Sequence, residues 1–282
     1  DQPEIEKMIQ PSQGVHIVLE RRFLKSKHAI LIPQTSDGRV LFAVPWKNYV
    51  VVGTTDTQVK KASEEPKALK EEVDFILKNA GKYMSVKPKK DDIKSVFAGL
   101  RPLAATSNKQ STKEVSRSHK IDISPSGLIS VLGGKWTTYR KIAEDAINTA
   151  ISINKLKKKK CKTERTKLFG FKRNVSWSDP MHVYGSLKKK VESLGGINDN
   201  KSLSNKFYIS NNIIEWSIIH EMALTVEDIL ARRTRCVFLD SKESKRIAPI
   251  VAQKMADVLG EDDKWIDAEL KKFNKLIKNY IV

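Results

Sequence analysis

Through the first hundred residues apolar positions come in short, β-branched runs between turn residues; beyond about residue 180 they recur every three to four positions. Val15-His16-Ile17-Val18-Leu19 reads as a strand with His16 as its one polar member, and Ala29 to Ile32, Val40 to Val44 and Tyr49 to Val52 read as three more. Pro11-Ser12-Gln13-Gly14, Ser36-Asp37-Gly38 and Pro45-Trp46-Lys47-Asn48 read as turns. Strands this short, joined this tightly, predict an antiparallel, meander-like sheet, because parallel neighbours need long crossovers. Glu65-Pro66 reads as a helix start, with Leu69, Val73, Ile76, Leu77 and Ala80 on one face and Gly81 at the end. Ile93 to Phe97 reads as a strand ending just before Arg101, and Ala105 to Val115 as a polar loop. Lys120 to Ile123 and Leu128 to Leu132 form a hairpin about Ser124-Pro125-Ser126-Gly127, and a helix follows from about Thr137 to Ile153. After the block Lys155-Leu156-Lys157-Lys158-Lys159-Lys160 and an aperiodic stretch to Pro180, every remaining pattern is helical, and Thr225 with Asp228 resembles a capping box. The expected fold class is α+β: a mostly antiparallel sheet and a strand-Gly-Gly-Lys-helix unit over 1–155, a linker over 156–180, and an all-α domain over 181–282.

The pattern centres on Val131-Leu132-Gly133-Gly134-Lys135-Trp136-Thr137-Thr138-Tyr139-Arg140. A strand, a Gly-Gly turn and a helix start present unpaired backbone amides and the positive end of a helix dipole, and Lys135 adds a full charge. Glycine also turns corners with no ligand nearby, and on this pattern alone a structural turn is the simpler reading. The hairpin sets Arg117 near the same end as Lys135, so two cations converge beside the helix start. Arg101, fixed by Pro102, is always charged and serves equally as a surface ion-pair partner or an anion clamp. His16, read from its segment alone, is a satisfied core histidine.

Composition narrows the class. A chain of 282 residues with 40% hydrophobic and 30% charged residues has the makeup of a folded, water-exposed protein. No apolar run approaches a membrane span, and the first residues do not resemble a signal peptide. Cys161 and Cys236 are too few for a disulfide framework or a zinc site, so no metal is expected. The formal charge of +19 raises nucleic-acid binding. Lysine is nevertheless spread over nearly every segment, without zinc-finger spacing, an aromatic RNA-binding pattern or a recognition helix, so no nucleic-acid partner is expected. Anionic small molecules or an anionic membrane face suit the charge better.

Ala98-Gly99-Leu100-Arg101-Pro102-Leu103 followed by Gly133-Gly134-Lys135-Trp136-Thr137-Thr138-Tyr139-Arg140 resembles the FAD-dependent, mitochondrial-type glycerol-3-phosphate dehydrogenases. The resemblance extends through Pro11 to His16, Pro45-Trp46, Gly53-Thr54-Thr55-Asp56, Ser116-Arg117 and Thr225 to Arg235. It implies oxidation of sn-glycerol 3-phosphate to dihydroxyacetone phosphate, with hydride passing from C2 to FAD and electrons going on to a quinone. It places His16 and Arg101 at the C2 oxygen, as base or as stabiliser of developing charge, and Arg117 and Lys135 at the substrate phosphate. Gly133, Gly134, Lys135, Trp136, Thr137 and Thr138 would face the cofactor. The family's Gly-x-Gly-x-x-Gly fingerprint is missing from this sequence. The chain is therefore expected to begin after the first half of the FAD domain, to bind FAD weakly on its own and to be inactive alone. The resemblance further implies a cytoplasmic protein, peripheral on the inner face of an anionic membrane, with homodimer formation open for its helical domain. Two other readings stand beside it: a related flavin amine or hydroxy-acid oxidase, and, on charge alone, a basic nucleic-acid-binding module.

Overall fold

The strand that carries His16 is longer than its apolar run. The computed structural model describes residues 1, 3–4, 8–104 and 118–282, and in it β1 spans Ile9–Glu20. Pro11-Ser12-Gln13-Gly14 is thus strand rather than turn. Ser12 and Gln13 pair with Gln58 and Thr57 of β5 (Thr57–Gln58), and the Pro11 carbonyl accepts the Val59 N–H, so the proline contributes its acceptor where it has no donor.

β2 (Ile30–Ile32), β3 (Leu41–Trp46) and β4 (Tyr49–Gly53) follow, all pairing antiparallel with their neighbours. The order is β2-β3-β4-β1-β5, and β6 (Ser95–Ala104) also pairs with β1. The meander therefore holds for β2 to β4, while β1 lies beyond β4 with His16 opposite Gly53. Pro45 and Trp46 belong to β3; the turn is only Lys47-Asn48, with Lys47 at φ 53°. β6 likewise runs past Phe97, which puts Arg101 inside a strand rather than beyond its end.

The first helix, α1 (Lys70–Ala80), begins four residues after the Glu65-Pro66 start read from the sequence. Glu72 sets the boundary: its carboxylate accepts the Leu69 N–H at 3.0 Å and the Thr55 hydroxyl at 2.8 Å, while Thr55 accepts the Val15 N–H at 3.0 Å. This chain of bonds ties β1 to the helix start and gives a buried carboxylate its partners.

The hairpin is β7 (His119–Ile123) with β8 (Ile129–Gly133), in the register His119 opposite Gly133. A single 3-10 turn over Trp136–Thr138 leads into α2 (Tyr139–Ile153). No helix or strand occurs from Asn154 to Met181, and α3 (Lys188–Glu192), α4 (Asn211–Glu221), α5 (Cys236–Leu239), α6 (Ser241–Leu259) and α7 (Asp263–Leu276) complete the chain. The capping box is real: the Asp228 N–H reaches the Thr225 hydroxyl at 3.1 Å and the Thr225 N–H reaches Asp228 at 3.0 Å. The helix it opens is wound as a π-helix over Asp228–Arg233.

Packing groups these elements in two compact units that do not follow the sequence order. One holds Asp1–Gly14, Asp56–Pro66 and Ala98–Leu168; the other holds Val15–Thr55, Lys67–Phe97 and Phe169–Val282. Within the second unit Val18 and Tyr49 of the sheet share a core with Ile209, Ile214, Leu230, Val251 and Phe273. The C-terminal helices thus pack on the sheet of their own unit instead of standing apart, so a division by residue range at 155 and 180 does not coincide with the packing. The cause is chain path, since β1 and β6 each continue from one unit into the other.

Candidate substrate and cofactor site

His16 lies in the second unit, on β1. Its register partner Gly53 has no side chain, and a Cβ there would stand 2.9 Å from His16 Cγ, so the imidazole lies over the neighbouring strand. On its other side the ring stacks on Phe97, with centroids 5.2 Å apart and planes 15° apart. The residue is half-buried, so its ring has an aromatic wall without being sealed from solvent.

Arg101 lies in the first unit, on β6. Its guanidinium fills the space beside Gly14, where a Cβ would stand 2.6 Å from Nη1 and 2.7 Å from Cζ. Asp56 is its counter-charge, with Oδ1 3.9 Å from Nη1, and the Ser12 hydroxyl donates to the same carboxylate oxygen. The Asp56 side chain is 9% exposed against 27% for Arg101, so the acid is the buried anchor and the cation the part open to a ligand. A cation held from behind in this way keeps its charge and its direction when an anionic oxygen arrives in front.

The Gly-Gly-Lys turn belongs to the same unit. Gly133 and Gly134 take φ of +69° and +82°, values that side chains of L-residues rarely adopt. A Cβ at Gly134 would also stand 2.5 Å from Ile142 Cδ1, so the two glycines are required by the turn itself. Beside them a cleft of about 430 Å³ is lined by Pro102, Val131, Lys135, Trp136, Tyr139 and Ile142 together with the glycines. Trp136 is 85% exposed and stacks on Tyr139 at 5.3 Å. Flat apolar walls with a cation at one end suit a flat ring system with an anionic edge, so the residues present fit a flavin. The cleft is braced from behind by His119, whose Nε2 is 3.1 Å from Asp145 of α2. Lys141 and then His119 hold the Asp145 carboxyl below its usual range.

Of the residues singled out in the sequence, Arg101, Gly133, Gly134, Lys135, Trp136, Thr137 and Thr138 fall in one unit and His16 in the other, while Arg117 lies outside the described residues. Thr138 is exposed, and its N–H and hydroxyl both donate to the Lys135 carbonyl at 3.0 Å, closing the helix start. Sequence reasoning missed Asp56, Gly14 and Phe97 as supports. Asp56 and Gly14 lie far in sequence from Arg101, and Phe97 far from His16, and the stretches Pro11 to His16 and Gly53-Thr54-Thr55-Asp56 carried no signal of which side chain each would support.

Residues 1–140 match the family model described as FAD dependent oxidoreductase, and residues 129–266 the one described as C-terminal domain of alpha-glycerophosphate oxidase. The mitochondrial glycerol-3-phosphate dehydrogenase of Bos taurus is 32% identical over 303 aligned positions, covering 98% of this chain and 41% of the relative. A probable mitochondrial glycerol-3-phosphate dehydrogenase of Dictyostelium discoideum is 34% identical, covering 100% and 47%. The chain therefore spans less than half the length of these relatives. Among solved structures, the glycerol-3-phosphate dehydrogenase of Bacillus halodurans complexed with FAD shares the fold, with a TM-score of 0.78 at 24% identity over 97% of this chain and 58% of that one. The two family models between them match residues 1–266, so over nearly its full length the chain is similar to FAD-dependent oxidoreductases.

Proposed function

We propose that the chain supplies the substrate side and the flavin-edge cleft of an FAD-dependent glycerol-3-phosphate dehydrogenase, which oxidises sn-glycerol 3-phosphate to dihydroxyacetone phosphate. The observation that carries this reading is the Arg101 guanidinium, seated in the space Gly14 leaves and backed by Asp56. When bound, FAD supplies the acceptor for the hydride that leaves C2. The chain's own residues handle the proton and the charge. Arg101, permanently protonated, faces the C2 oxygen and stabilises negative charge as its proton departs. His16, placed at the same oxygen by the resemblance, accepts that proton as C2–O becomes C2=O. Lys135 holds the substrate phosphate from the head of the cleft, and Arg117 is assigned to the same phosphate from the sequence.

A quinone as the final electron acceptor belongs to the same proposal. So does a peripheral seat on an anionic membrane face, supported by the +19 charge and by relatives named as mitochondrial. No helix among the described residues is long and apolar enough to cross a membrane. The test is Arg101→Ala in the full-length, flavin-loaded enzyme. The proposal expects turnover per bound flavin to fall by about two to three orders of magnitude with flavin retained. Flavin loss with normal turnover per remaining flavin would assign Arg101 to the cofactor instead.

A further inference from the structure

Behind His16 runs a row of aromatic rings that the reaction scheme does not use. Phe97 stacks on the imidazole at 5.2 Å and 15°. Phe97 in turn meets Phe238 edge-to-face at 5.1 Å and 76°, and Phe238 meets Tyr280 at 5.7 Å and 74°. All four residues belong to the second unit, and the row leads from strand β1 through β6 and α5 to the last helical turn of the chain, Ile277–Tyr280.

We infer that Phe97 is a positioning residue for His16, and that Phe238 and Tyr280 hold Phe97 in place, so that the C-terminal helices set the plane of the imidazole. The argument is geometric. An imidazole on a strand retains freedom about its second torsion, which is broad for a ring of this kind. Here one side of the ring is limited by the strand at Gly53 and the other by a nearly parallel phenyl face, leaving a narrow range of ring planes. Edge-to-face contacts fix Phe97 in the same way, since each ring presents its positive edge to its neighbour's negative face. A proton acceptor works only when its nitrogen lies on the line of the departing proton, so fixing the plane is worth rate without any contact with substrate. This gives the helical domain a task in the proposed reaction beyond packing.

The inference rests on the reading of His16 as proton acceptor, and two readouts separate the failure of one from the failure of the other. The first is the NMR spectrum of the whole flavin-loaded enzyme labelled at histidine Cε1, with His16 assigned among the histidines by loss of its resonance in His16→Gln. A stacked phenyl ring shifts that proton upfield. Phe97→Leu is expected to move it downfield, Phe97→Tyr to leave it in place, and Phe238→Leu or Tyr280→Leu to move it by a smaller amount. The second readout is steady-state kinetics, where Phe97→Leu should lower kcat about tenfold to hundredfold with KM for glycerol 3-phosphate unchanged. Phe97→Tyr should restore the rate. A His16 resonance that stays in place in Phe97→Leu, or a kcat that stays normal although the resonance moves, overturns the positioning role. Normal turnover in His16→Gln overturns the underlying reading of His16 instead, and the spectra then still decide whether Phe97 fixes the ring.

Discussion

Gly14 and Arg101 occupy one space between them: a methyl group at position 14 would stand 2.6 Å from Nη1 and 2.7 Å from Cζ of the guanidinium. The clash falls on the mobile end of a long side chain rather than on backbone. Gly14→Ala should therefore cost little stability, about 1 kcal/mol or less, because the guanidinium swings away. It should nevertheless cost activity, since the cation leaves the position Asp56 holds for it. Turnover per bound flavin is expected to drop at least about tenfold while the thermal midpoint hardly moves. A variant that loses stability and keeps its specific activity would contradict this.

Gly134→Ala should do the opposite. The position combines φ of +82° with a Cβ site 2.5 Å from Ile142 Cδ1, so strain and overpacking add. A loss of about 2–4 kcal/mol is expected in denaturant unfolding, with the damage in the β8 to α2 turn. Gly99→Ala, where a Cβ would meet nothing within 4 Å, is the control and should cost far less.

These two glycines show what could be read from the chain and what could not. The Gly133-Gly134 turn, the β7 to β8 hairpin and α2 follow from local signals: an apolar run, a turn pair and a three-to-four period that all lie between His119 and Ile153. The apolar core of β1 was legible for the same reason. Its extension through Pro11 to Gly14 was not, because proline and glycine signal a turn locally, whereas the partners that keep them extended are Thr57, Gln58 and Val59. Arg101 was visible as a rigid cation before a proline. Its support by Gly14 and Asp56 was not, since that depends on three segments far apart in sequence. α1 began later than its proline suggested because the decisive group, Glu72, lies inside the helix and captures Leu69 from there.

Acid should loosen the second unit at a defined place. Hydrogen bonds from Lys94 and then Arg22 hold the Glu20 carboxyl at about 2, against a usual value of 4.5. A depressed carboxyl stabilises the fold fully above 4.5 and loses that contribution as pH falls through about 2. The urea midpoint of the wild type should therefore fall more steeply below 4.5 than that of Glu20→Gln. Because the Glu20 side chain is 36% exposed the difference will be modest and should shrink with added salt. Parallel curves for the two proteins would remove Glu20 from the account.

The central claim is that this chain presents glycerol 3-phosphate to a flavin, and anaerobic bleaching of the flavin reads that step directly, before any acceptor is involved. The whole flavin-loaded enzyme to which this chain contributes should bleach rapidly with sn-glycerol 3-phosphate, about a hundredfold or more faster than with glycerol, since the phosphate-binding cations are left unpaired by the smaller alcohol. Lys135→Ala should remove most of that preference. Bleaching by an amino acid or a 2-hydroxy acid, with none by glycerol 3-phosphate, would contradict the account and assign the chain to a different flavin oxidase.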